Sequence, residues 1–144
     1  MRMFNAIDVS ASGLTAERLR MDVISKNIAN ANTTRTVNGT PYRRQVVNFE
    51  TQGEGRSFQN HLNDQMEKFS GVEVTGIKED QSPFKNEYEP GHPDANEEGY
   101  VLKPNVDIVT EMANMISATR AYEANVTSID AAKNMAQRAL EIGR

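Results

Sequence analysis

Proline decides where this chain can be helical. Four of its five prolines lie between residues 80 and 104, the fifth is Pro41, and none occurs in residues 1–40 or 105–144. Proline removes a backbone donor and clashes with the preceding turn, so long helices are confined to the two ends and the middle must be extended or turn-rich. The first end carries the matching pattern. Ile7, Leu14, Met21 and Ile28 recur every seven residues, with Ala11, Ile24 and Ala31 three or four positions away, which predicts a helix from about Asn5 to Ala31. Ser10, Glu17 and Arg18 break this stripe. It is narrow, and it suits packing beside other helices better than burial in a globular core. The run Asn27-Ile28-Ala29-Asn30-Ala31-Asn32-Thr33-Thr34 places the helix end between residues 29 and 33, because Asn and Thr side chains compete for backbone hydrogen bonds.

The second helix is expected after Pro104. Asn105 stands as a candidate N-cap, Asp107 and Glu111 put negative charge in the first turns, and neither proline nor glycine recurs before Gly143. Ile108, Met112, Met115, Tyr122, Val126 and Ile129 follow a four-and-three spacing with Thr119 in the one gap, a coiled-coil-like seam. Beyond Ile129 the stripe drifts through Ala132, Met135, Ala136, Ala139, Leu140 and Ile142. Such a helix would be about 55 Å long, against a radius of gyration near 15 Å for a compact domain of this length.

Between the helices, Asn38-Gly39 supplies a tight turn, with Thr34 to Val37 and Tyr42 to Phe49 as candidate short strands and Pro41 restricting one of them to an edge. Thr51 to Ser70 is polar and without period, which predicts a loop. Val72, Val74 and Ile77 alternate around Gly71 and Gly76, a strand with an expected bulge at Gly76. Asp80 to Pro104 is expected to be irregular, with one apolar patch at Tyr100-Val101-Leu102. The expected fold is therefore mainly α: long N- and C-terminal helices forming a coiled-coil-like antiparallel pair, with a small irregular or β middle. The divisions are 1–33, 34–104 and 105–144.

Charge and chemistry narrow the function. With 16 Lys and Arg against 20 Asp and Glu, the net charge is −4, and a nucleic-acid binder would need a basic excess. The charge is uneven: residues 1–46 hold seven basic and three acidic side chains, and residues 47–104 hold five and twelve. Differently charged segments of this kind could face one another between copies. No cysteine is present, which removes disulfides, thiolate metal sites and a cysteine nucleophile. No stretch approaches a membrane span, and the N-terminus lacks the apolar core of a cleaved secretory signal.

His61 lies in the polar loop without partners, and His92-Pro93-Asp94 offers too few ligands for a catalytic metal, so Gly91, His92 and Pro93 read as a turn capped by Asp94. The Glu87/Glu89 and Glu97-Glu98 pairs lack a pocket to perturb a pKa. Arg43-Arg44 beside Tyr42 fits a solvated or intersubunit role better than phosphate binding. No phosphate loop or nucleophile elbow is present. We expect no enzyme activity, no catalytic, cofactor-binding or metal residues, no small-molecule substrate and no nucleic-acid partner. The residues expected to matter are the seam positions Ile7, Leu14, Met21, Ile24, Ile28, Ile108, Met112, Met115, Tyr122, Val126 and Ile129, as an assembly interface.

The segment from Ser12-Gly13-Leu14-Thr15-Ala16-Glu17 through Ser25-Lys26-Asn27-Ile28-Ala29-Asn30-Ala31-Asn32-Thr33-Thr34 resembles the N-terminal signature of bacterial flagellar axial proteins, the family of rod, hook and hook-associated subunits. Pro41-Tyr42-Arg43-Arg44-Gln45, Gly91-His92-Pro93-Asp94-Ala95, Gly99-Tyr100-Val101, Pro104-Asn105-Val106-Asp107 and Arg120-Ala121-Tyr122-Glu123-Ala124-Asn125 resemble its proximal-rod members. The resemblance implies a structural subunit of the basal-body rod, exported through the flagellar type III apparatus without a cleaved signal and assembled in the periplasm. It implies as partners further copies of the chain, other rod proteins and the rotor-ring adaptor at the rod base. Another rod protein of the same family and a helical export chaperone are the alternatives. Thin stripes at both ends imply that assembly completes their burial, with terminal segments that are mobile in the lone monomer.

Overall fold

The computed structural model describes residues 2–52 and 71–142. The elements are α1 (Arg2–Ala29), β1 (Gln45–Thr51), β2 (Val72–Glu79), β3 (Lys85–Tyr88), β4 (Tyr100–Lys103) and α2 (Ile108–Ile142). With 28 and 35 residues, the helices are roughly 40 and 50 Å long. They run antiparallel: Asn27 meets Glu111, Met21 meets Thr119, and Gly13 lies against Asn125. Long terminal helices paired in this way around a small β middle are the architecture that the two stripes predict.

The buried line between the helices is made of small and polar residues on α2 and includes larger aliphatic ones on α1. It takes Ala16, Val23, Ile24 and Asn27 from α1 and Glu111, Ala118 and Ala132 from α2. Glu111, Ala118, Asn125 and Ala132 are spaced by seven, which keeps one face of α2 on its partner. Short side chains bring the backbones close. A Cβ placed on Gly13 would lie 3.0 Å from Asn125 Nδ2.

Side chains terminate both helices. Asn30 Nδ2 donates to the Lys26 carbonyl at 2.9 Å and Thr33 N donates to the Asn30 carbonyl, so the last turn of α1 closes on itself. At the start of α2 the cap is Asp107, not the expected Asn105. Val109 N and Thr110 Oγ1 donate to its carboxylate at 3.3 and 2.6 Å, satisfying a donor that the helix cannot. Asn105 lies two residues upstream and accepts from Arg44 N at 2.8 Å while donating to the Asp80 carbonyl.

The middle forms two antiparallel two-stranded sheets, β1–β2 and β3–β4. In the first, Asn48 pairs with Gly76 and Phe49 with Val74, leaving Thr75 as the extra residue of a bulge beside Gly76. This sheet lies along α1: Gln45, at the start of β1, bonds to Asn27, and Val72, at the start of β2, donates to Ser12 Oγ. Gly71 is required there, since a Cβ would come within 2.5 Å of that hydroxyl.

The expected strand at Thr34–Val37 does not form. That stretch is a turn closed by Thr36 N to Thr40 O and Gly39 N to Thr36 O, with Gly39 at φ +76°. The second sheet, β3–β4, corrects the expectation of irregular chain from Asp80 to Pro104. Pro83, Pro90 and Pro104 fall just outside its strands and Pro93 in the turn between them, so none interrupts the ladder. The expected loop from Thr51 to Ser70, with His61, lies largely outside the described residues; Thr51 itself closes β1.

Candidate assembly surface and the polar hub beneath it

A hydrogen-bonded hub sits where α1, the start of β1 and the first turn of α2 converge. Asn27, 1% exposed, uses its whole amide: Nδ2 donates to the Gln45 carbonyl at 2.8 Å and to Glu111 Oε2 at 2.9 Å, while Oδ1 accepts from Gln45 N and Tyr42 Oη, both at 2.9 Å. Glu111, also 1% exposed, receives Arg44 Nε and Nη2 on Oε1 at 2.9 and 2.7 Å. Arg44 Nη1 reaches Asp80 Oδ2 at 3.2 Å. A buried carboxylate is tolerable only when paired and hydrogen-bonded, and here it is both. Because α1, β1 and α2 each supply members, the hub fixes their mutual register.

The electrostatics follow from these contacts. Burial alone would lower the Arg44 guanidinium, but hydrogen bonding and charge from Glu111, then Asp80, outweigh it and hold its pKa above the usual value. Burial first, and then the charges of Glu111 and Glu79, push the Tyr42 hydroxyl up, so it stays protonated as a donor to Asn27. The Ser82 N–H and hydroxyl, followed by Arg44, hold the Asp80 carboxyl below the usual range.

Beside this hub α2 presents a bare apolar ridge. Val109, Met112 and Ile116 are 75%, 56% and 58% exposed, and Ile108 is exposed next to them. From Ile108 to Thr119 the only charged residue is Glu111, which is buried. Further along, Val126, Met135 and Leu140 are exposed too. The outer line of α1 differs: Asp8, Ala11, Thr15, Arg18, Asp22, Ser25 and Ala29 are exposed and carry no large apolar side chain.

The expected seam positions divide between these two environments. Ile24 is buried, and Ile7, Leu14, Met21, Ile28, Met115, Tyr122 and Ile129 are half-buried near the helix contact. Ile108, Met112 and Val126 face outward. The hub itself was not anticipated. The available signal was Glu111, a carboxylate in register with Met115, Ala118 and Tyr122 on an otherwise apolar stripe.

The remaining candidates are structural. Arg43 donates to the carbonyls of Asp80 and Ser82 and stacks over Phe84 at 4.4 Å, so like Arg44 it makes specific contacts within the chain. His92 Nδ1 accepts from Asp94 N at 3.1 Å, so the imidazole closes the turn that Asp94 is expected to cap; the Asp94 carboxylate instead accepts from Thr34 Oγ1 at 2.9 Å and lies 3.7 Å from Arg35. Glu87 and Glu89 clamp Lys103, each at 2.7 Å. Glu97 and Glu98 are exposed. Among the described residues no group of three potential ligands could hold a metal, and no helix is long and apolar enough to cross a membrane.

This arrangement of paired terminal helices, a rigid polar joint and an uncovered apolar flank defines a protein built to pack against other chains. Family models agree on the class: residues 7–35 match the flagella basal body rod protein model, and residues 97–142 match the flagellar basal body rod FlgEFG protein C-terminal model. The chain is 52% identical to the flagellar basal-body rod protein FlgC of Bacillus subtilis (strain 168), with both chains covered completely. It is 46% identical to the FlgC of Borreliella burgdorferi over 99% of this chain and 98% of that one, and 38% identical to the FlgC of Escherichia coli O157:H7 over the whole of both. The chain belongs to the FlgC family of flagellar basal-body rod proteins, a family of structural subunits.

Proposed function

We propose that this protein is a self-assembling subunit of the proximal rod, which stacks with further copies and other rod proteins into a helical shaft carrying torque from rotor to hook. The observation that carries this is the uncharged ridge of α2. Four large apolar side chains on about two and a half turns of an exposed helix cost free energy in water at about 25 cal/mol per Å², and a neighbouring chain removes that cost. The half-buried positions Ile7, Leu14, Met21, Ile28, Met115, Tyr122 and Ile129, with buried Ile24 and exposed Val126, complete the proposed interface. An interface joining two different patches whose repeat does not close into a ring builds a helical array.

The export reading belongs to the same proposal: passage through the flagellar type III apparatus without a cleaved signal, delivery to the periplasm, and contact with the rotor-ring adaptor at the rod base. The test replaces Met112 with Asp in cells lacking the native copy. We expect a protein that keeps its helical circular dichroism but is absent from purified basal bodies, with motility lost. Normal incorporation of Met112→Asp would refute the assembly role of the ridge.

A further inference from the structure

The register of the β3–β4 ladder pairs Asn86 with Leu102 and Tyr88 with Tyr100, and alternation along the strands puts these four on one face. That face is uncovered: Tyr88, Tyr100 and Leu102 are all exposed, while Val101 on the opposite face is buried. The tyrosines stand edge to face with centroids 5.3 Å apart, and Gly99 at φ +82° leaves no room for a Cβ, which would meet the Tyr88 ring at 2.9 Å. The surface is therefore held in shape before anything binds. Tyr100 and Leu102 line a groove of about 690 Å³ between the hairpin, Pro41 and Pro93, and Glu98 stands on its wall together with Asp94 and its ion-pair partner Arg35.

The same chain carries the opposite shape. The ridge Val109, Met112 and Ile116 is convex and apolar, and one turn beyond Ile116 stands the exposed Arg120. We propose that the α2 ridge of one copy lies in the β3–β4 groove of the next, with Arg120 against Glu98. Charge complementarity favours this occupant: the ridge brings a single cation, and with Asp94 paired to Arg35 the groove offers the exposed carboxylate of Glu98, with Glu97 beside it. The two patches differ, so the contact is heterologous and repeats. The inference rests on the rod-subunit reading and names which surfaces meet in it.

The chain has no cysteine, so introduced thiols report only on themselves. Two differently tagged copies are expressed together in cells lacking the native copy, one carrying Met112→Cys and the other Leu102→Cys, and mild oxidant is added. We expect a disulfide dimer containing one of each tag, and none when either variant is expressed alone. A second pair, Ile116→Cys with Tyr100→Cys, should behave the same way. Adding Arg120→Glu to the ridge copy should lower the yield several-fold, and Glu98→Arg in the groove copy should restore it. Dimers from Met112→Cys alone would place ridge against ridge and overturn the proposal, as would incorporation of both pairs into basal bodies without a mixed dimer. The rod reading is scored separately, by whether the wild-type chain copurifies with basal bodies.

Discussion

Replacing Glu111 with Gln keeps the size of the side chain and removes only its charge. The carboxylate accepts three hydrogen bonds, two from Arg44 and one from Asn27. A glutamine has one acceptor oxygen and one donor group. If the oxygen turns to Arg44, the amide N–H₂ confronts Asn27 Nδ2, donor against donor; if it turns to Asn27, Arg44 meets the amide. Either way a donor in the hub loses its acceptor, and Arg44 keeps only Asp80 as a countercharge. Breaking a buried pair on one side costs about 3–5 kcal/mol, but the Arg44 side chain is 24% exposed and regains some hydration, so we expect about 3 kcal/mol. For a chain of this size that is roughly a 10 °C fall in melting temperature, read by far-ultraviolet circular dichroism on the purified chain at neutral pH. The double variant Arg44→Met with Glu111→Met should lose less than Glu111→Gln, because neither charge is stranded. A fall of under about 3 °C in the single variant, or a double variant worse than the single one, would refute the argument that paired charge holds the joint.

Gly99→Ala should cost at least about 1–2 kcal/mol, since it combines a left-handed backbone with a clash against the Tyr88 ring; Gly76→Ala, with open space around it, should change stability by under about 1 kcal/mol. Thermal melts of the two side by side decide whether the φ and the ring contact matter. Acid should weaken the fold in one direction only. Asp80, Glu89 and Asp107 are all held below the usual carboxylate range, by Ser82, Lys103 and Thr110 respectively as the first cause, so their contribution is complete above the unfolded value near 4 and is lost as pH falls through the lower folded values. A melting temperature that is level from about pH 7 to 5 and falls below about pH 4 is expected, whereas one that peaks in acid would contradict it. Leu14→Asp, at a half-buried position of α1, should block incorporation into basal bodies, and normal incorporation would count against the seam.

Periodicity and proline spacing made the helices legible. The end of α1 at Ala29 falls inside the expected window, and the bulge falls beside Gly76. The β3–β4 hairpin was not legible, because its strands of four residues each are too short for alternation to stand out among prolines and charges. Asn105 was mistaken for the cap because asparagine and aspartate compete for that place; the Asn105 side chain was already committed to Arg44 and Asp80. The hub lay beyond reach for a related reason. Asn27 meets Glu111 across 84 positions of chain, and although the apolar stripe around Glu111 marks that carboxylate, nothing local marks Asn27 as its partner.

The seam of α2 is only partly turned toward α1: Met115, Tyr122 and Ile129 are half-buried, while Ile108, Met112 and Val126 are exposed. Ile108, Met112, Met115, Thr119, Tyr122, Val126 and Ile129 trace the centre of the large apolar residues, whereas the line packed on α1 is Glu111, Ala118, Asn125 and Ala132. A helix with one partner centres its large residues on that partner. Here the intramolecular contact is given to small and polar groups, and the bulk is displaced to the flank. That offset separates two tasks: close approach and a charged joint set the register inside the chain, leaving the greasier side chains Ile108, Val109, Met112 and Ile116 for another surface. Had burial in the monomer been the only demand on α2, Ala118 and Ala132 would be the natural places for leucine, and the exposed flank would be charged.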